Sequence, residues 1–113
     1  MNQKALNASR EALRRAGLWE MVKASLAAER FEFADLLGHS RFIRRLNRLR
    51  FRIWHTADAM RDASNRRLYS YPELGRLFNR NHSTIMSGVA QWQADMQSAG
   101  AQDAVTRSPI TTD

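Results

Sequence analysis

The sequence predicts an all-α protein, a helical bundle that carries a helix-turn-helix. Three observations lead there. Apolar residues recur at steps of three and four along most of the chain, and no stretch alternates as a strand would. Gly17, Gly38 and Pro72 fall between the periodic stretches, where helices stop and start. Residues 70–86, SYPELGRLFNRNHSTIM, read as a short helix, a tight polar turn and the head of a second helix.

Each element has its own signal. Ala5–Ala16 is a first helix, with Asn7 or Ser9 as its cap, and Gly17 interrupts it. Leu18–Glu29 resumes helical spacing through Trp19, Val22 and Leu26. Arg30–Phe33 is an apolar hinge, and Ala34–Leu37 a brief helical turn that Gly38 stops. Ser40 suits the cap of the longest helix, Arg41 to about Ser64. Its stripe is Phe42, Leu46, Leu49, Ile53, Ala57 and Met60, with Trp54 beside it. Asn65–Tyr71 is a loop, because the residue before a proline resists helical angles. Pro72 then fits a first helical turn, where its missing N–H costs nothing. Leu74 and Phe78 face inward, Asn79-Arg80-Asn81 turns, and the last helix opens on His82. Its buried face is expected to be Ile85, Val89, Trp92 and Met96. From Ser98 onward the chain is small and polar, and a mobile tail is expected. The expected organisation is therefore supporting or partner-binding helices over 1–30, the helix-turn-helix domain over 31–97 and a flexible tail over 98–113.

Composition narrows the function. With 113 residues there is room for one domain of ordinary size. There is no cysteine, which excludes disulfides and thiolate metal sites. His39, His55 and His82 lack a ligand spacing. No apolar run approaches the ~18 residues of a membrane span, and the first residues lack the apolar stretch of a signal peptide. A cytoplasmic, nucleoid-associated protein is expected, without cofactor, metal or membrane contact. Catalysis finds little support: Glu29 and Glu32 have no His or Ser constellation beside them, and no glycine-rich phosphate loop occurs. The expectation is that the chain is not an enzyme.

The charge is more telling. Residues 41–80 hold eleven Arg, no Lys and three acids, a balance of +8, while the whole chain carries +7. A basic half on a nearly neutral remainder suits a polyanion, and guanidinium suits phosphate because its donors lie in a fixed plane. Arg44, Arg48, Arg50, Arg52, Arg66, Arg67 and Arg80 are the candidates for phosphate or minor-groove contact. A solvated helix face, or one that meets an acidic protein or an anionic membrane surface, would use the same residues. Arg80, Asn81, His82, Ser83 and Thr84 concentrate donors and acceptors at the head of the last helix. Asn can pair with adenine, and a Thr methyl can touch that of thymine. Helix capping would account for one of these residues, not for five together. Trp19, Trp54 and Trp92 lie on or beside apolar stripes and read as core.

Ser70–Met86 resembles the signature of the C-terminal DNA-binding domain of the bacterial replication initiator DnaA, roughly S-L-P-E-I-G-x-x-F-G-G-R-D-H-T-T-V. Ser70, Pro72, Glu73, Gly75, Phe78, Arg80, His82 and Thr84 match it. Leu74 replaces Ile, Asn81 replaces Asp and Ser83 replaces Thr, and one residue is missing between Phe78 and Arg80. Ala34-Asp35-Leu36-Leu37 resembles the ADLL of the same domain, and Ala59-Met60 its AM pair. The likeness covers about Val22 to Trp92 and is specific around 70–86. It implies a TrpR-like helical domain that inserts the 83–96 helix in a major groove. Pro72, Asn81, His82, Ser83 and Thr84 would then face bases, and Arg80 would lie near phosphate. The family sends an Arg into the minor groove, and Arg52 or Arg50 is the candidate. Asn81 in place of Asp removes an acceptor that could bond cytosine.

The initiator's ATPase module has no counterpart in these residues. A free-standing domain of this kind is similar to small prophage regulators and to the DNA-binding part of activators of alphaproteobacterial gene transfer agents. In those activators a separate region or partner engages RNA polymerase. The expected function is sequence-specific binding of double-stranded DNA in transcription regulation, with RNA polymerase or a co-regulator as protein partner. Two alternatives stand beside it: a replication modulator that competes for initiator sites, and a protein-binding adaptor that uses the basic helix. The target sequence, the direction of regulation and the oligomeric state are left open by the residues.

Overall fold

The computed structural model describes residues 2–39 and 43–107, with side chains through Ser98. Six helices form among them: α1 Gln3–Ala16, α2 Trp19–Glu29, α3 Phe33–Leu37, α4 Arg44–Asp58, α5 Tyr71–Phe78 and α6 His82–Arg107. No strand forms among the described residues, and Arg61 with Arg67 makes an isolated bridge. None of these helices is long and apolar enough to cross a membrane.

Local chemistry sets the boundaries. α1 begins two residues before the expected start, because the Asn2 side chain accepts the Ala5 N–H at 2.8 Å. Asn7, an expected cap, lies inside the helix and accepts from Gln3 and Arg10. Gly17 ends α1 at φ 82°, a left-handed conformation that glycine adopts without strain. α3 starts one residue early, at Phe33, behind a reciprocal Glu32–Asp35 capping box.

The longest expected helix is shorter than its sequence pattern. α4 ends at Asp58, not near Ser64. The Asp62 carboxylate accepts the N–H groups of Ser64 and Arg66, at 2.8 and 3.0 Å, and Leu68 N–H bonds back to Met60 C=O at 3.1 Å. These side-chain acceptors offer the backbone an alternative to the helix ladder. Asn65, at φ 64°, makes the turn. The expected start of that helix, with Ser40, Arg41 and Phe42, lies outside the described residues.

One core joins the chain. Leu13, Leu18, Val22 and Leu26 meet Leu36, Leu37, Leu49, Ile53, Trp54, Phe78, Ile85 and Val89 in a single apolar cluster. Residues 1–30 thus supply part of the same core as the helices that follow. α4 crosses α6 closely: a Cβ added at Gly88 would sit 2.5–2.8 Å from Trp54 and Phe51 ring atoms. The expected buried face of α6 holds for Ile85 and Val89, weakens at half-buried Trp92 and fails at Met96, which is 49% exposed. Met96 lies more than two turns beyond Gly88, where α6 meets Trp54 and Phe51 of α4, so periodicity alone overstated its burial. α6 also continues to Arg107, past the expected break at Ser98.

Candidate nucleic-acid interface

The joint between α5 and α6 follows from six residues. Ser70 accepts the Glu73 N–H while Glu73 accepts the Ser70 N–H, both at 3.2 Å, so α5 starts at a fixed angle. Pro72 occupies the first turn and is exposed. Asn79 closes α5 in the left-handed conformation at φ 58°. Arg80 N–H then bonds Gly75 C=O at 2.8 Å. A Cβ on Gly75 would lie 2.5 Å from the Arg80 carbonyl oxygen, so the close approach of turn to helix requires glycine here.

This joint projects the expected base-reading residues outward. Asn81, His82, Ser83 and Thr84 are all exposed, while Ile85, Gly88 and Val89 anchor the opposite side of α6. Asn81 is also the cap: its Oδ1 accepts the Thr84 N–H at 3.1 Å. That bond occupies one of the acceptor positions that pairing with adenine would use. The exposed face continues through Met86, Ser87, Ala90 and Gln91, and it bears no acid. Met86, 47% exposed, was not singled out by the sequence pattern. Its signal is the helical period: it falls between the buried positions Ile85 and Val89 and so must point away from the core.

The arginines separate by place in the fold. Arg50 corrects the sequence expectation: it is only 3% exposed and cannot enter a groove of DNA from that position. Its guanidinium donates to the carbonyls of Leu36 (3.2 Å), Asp35 (2.7 Å) and Gly38 (2.9 Å), and to Asn47 Oδ1 (2.8 Å). These are the carbonyls that α3 leaves open at its C-terminus, so Arg50 caps a helix. Burial, then the neighbouring Arg80 charge, lowers its pKa from the ordinary arginine value, with Asp35 partly offsetting both. Arg80, expected near phosphate, is half-buried and bonds the carbonyls of Leu37, Asn79 and Gly38.

Arg48 and Arg52 line a small groove with Glu29, Arg45, Leu49 and Trp92. Arg44 is exposed at the start of α4. Arg66 and Arg67 are exposed on the loop after α4, where Arg67 pairs with Asp58 and stands 4.1 Å over the Tyr71 ring.

A cleft of about 850 Å³ lies between α4, α5 and the head of α6. It brings together Pro72, Asn81, His82, Thr84, Arg50 and Arg80 of the expected site, and adds His39 and Arg76, which sequence reasoning passed over. Ser83, Arg44, Arg48, Arg52, Arg66 and Arg67 lie outside it. Among the described residues no carboxylate lines the cleft. Among the described residues no group of His, Cys, Asp and Glu could hold a metal ion. Compared with known proteins, the chain matches no family model, no curated protein and no solved structure.

Proposed function

We propose that this chain binds double-stranded DNA sequence-specifically and regulates transcription, reading a major groove with the head of α6 in the manner of a TrpR/DnaA-type helix-turn-helix. One observation carries the reading. A glycine-dependent turn presents Asn81, His82, Ser83 and Thr84 on an exposed, acid-free helix head beside a cationic cleft. Polar side chains at such a helix head match the hydrogen-bonding edges of bases, and the surrounding guanidinium charge favours a phosphate-rich partner.

The roles divide accordingly. His82, Ser83 and Thr84 read bases, Asn81 combines capping with its free amide donors, and Pro72 packs against the duplex edge. Arg50 and Arg80 fix the frame rather than grip DNA. The test is selection of genomic fragments on the purified protein, followed by binding to the recovered site and to random duplex. His82→Ala should cost about 1–3 kcal/mol on the selected site and little on random DNA. Equal losses on both duplexes, or no retained fragment at physiological salt, would defeat the reading.

A second surface favours a protein partner in addition. The groove that Arg45, Arg48 and Arg52 share with Glu29 and Trp92 sets three cations, one of them paired with Glu29, beside an aromatic ring, which suits an acidic polypeptide such as a co-regulator.

A further inference from the structure

We infer that the cleft between α4, α5 and the head of α6 is a phosphate-binding site, with His39 and Arg76 as its exposed donors and Arg50 and Arg80 as fixed charges behind them. The inference does not need the DNA reading, although it touches the same residues.

Three features point to an anion of this class. The first is charge without acid: three arginines line the cleft beside two histidines, and among the described residues no carboxylate does. The Asp35 carboxylate, which acts on Arg50 electrostatically, accepts the Glu32 N–H and does not line the cleft. The second is rigidity. Arg50 and Arg80 are tied to backbone carbonyls of α3, so their charges cannot swing away from each other. Two guanidinium groups held close repel, and an anion between them and solvent would relieve that repulsion. The third is the wall. Phe51 and Trp54 line the cleft, and low-dielectric walls concentrate a field of one sign. Trp54 is only 1% exposed, and its Nε1–H has no acceptor among the described residues.

Size refines the ligand. About 850 Å³ is far more than one phosphate fills and lies within the range of small-molecule sites. Asn47, Asn79, Asn81 and Thr84 add neutral donors and acceptors beside the cations. The ligand class is therefore a phosphate ester carrying a polar body: a free nucleotide, or a nucleotide unit of a DNA backbone. Because Pro72, Asn81, His82 and Thr84 line the cleft, a free nucleotide there would exclude a duplex from the head of α6.

Calorimetric titration of the full chain with AMP, and separately with selected duplex DNA, separates the two sources. Arg76→Gln removes an exposed donor from the cleft, and Lys4→Gln makes the same charge change outside it. If the ligand is free, AMP binds, Arg76→Gln weakens it at least tenfold, Lys4→Gln does not, and AMP displaces duplex. If the phosphate is part of DNA, AMP gives no heat, yet Arg76→Gln weakens duplex at least fivefold and lowers the salt slope by about one. AMP binding without any duplex binding would uphold the site and remove the DNA reading. Arg76→Gln leaving both ligands unchanged, or acting no more strongly than Lys4→Gln, would overturn the inference.

Discussion

Arg50 and Arg80, carried on α4 and in the α5–α6 turn, donate to the same acceptor, the carbonyl oxygen of Gly38. The end of a five-residue helix thereby becomes the point where the frame and the proposed reading head are joined. A short helix cannot satisfy its last carbonyls internally, and two guanidinium groups donate to them instead.

Arg50→Met should therefore destabilise the protein by about 3 kcal/mol, since it removes the bonds to the Leu36, Asp35 and Gly38 carbonyls at once. Urea denaturation of the variant checks this. Arg50→Lys should recover little, because a point ammonium cannot span acceptors on Asp35, Leu36 and Gly38 in one plane. A stability change under about 0.5 kcal/mol would show the bonds to be incidental.

Arg50 also marks the limit of what the sequence discloses. In the run Arg44, Arg45, Arg48, Arg50, Arg52 it looks like any other member of a basic comb. Only the position of α3, contributed from twelve or more residues away, turns it inward. Pro72 in a first helical turn and the Gly17 break are local chemistry and are read directly, whereas the equally local Ser70–Glu73 box is seen only in the structure. The end of α4 could not, because Asp62 competes with the helix through a turn that hydropathy does not register. Met96 fits the stripe yet is exposed, since periodicity gives the direction of a side chain but not the presence of a neighbour.

The α5–α6 joint gives a paired prediction. Gly75→Ala puts a methyl 2.5 Å from the Arg80 carbonyl oxygen, and the backbone on both sides has little room to yield. The expected cost is about 2 kcal/mol or more, read as a lowered Tm. Asn79→Gly keeps the left-handed conformation at φ 58° and should change stability by only a few tenths of a kcal/mol. Comparable damage from both variants would contradict this geometry.

Tyr69 ties the first half of the chain to the second. It is buried, and its hydroxyl donates to the Ala16 carbonyl. Tyr69→Phe should cost about 1 kcal/mol. Burial first, and Glu73 second, raise its pKa above the ordinary value of 10.0. The neutral phenol is thus favoured more in the folded state than in the unfolded one. Its contribution is complete below the unfolded pKa and is lost as pH rises through the raised, folded one. Denaturation midpoints across the alkaline range should fall more steeply in the wild type than in Tyr69→Phe; parallel curves would refute the assignment.

Met86 separates reading from folding. It is 47% exposed on the acid-free side of α6, so Met86→Ala should alter stability by less than about 0.5 kcal/mol. On the proposed reading its thioether lies where base edges pass, and an apolar side chain in a major groove is complementary to the thymine methyl. Uracil lacks that methyl and pairs identically, so the contact can be removed from either partner. Thymine-to-uracil substitution at the contacted position of the selected site should weaken wild-type binding by about 1 kcal/mol, and Met86→Ala should weaken binding to the thymine site by a similar amount. Combined, the two changes should cost little more than either alone, because each deletes the same contact. Additive losses would place Met86 away from any thymine, while leaving binding through His82 and Thr84 to be judged on its own.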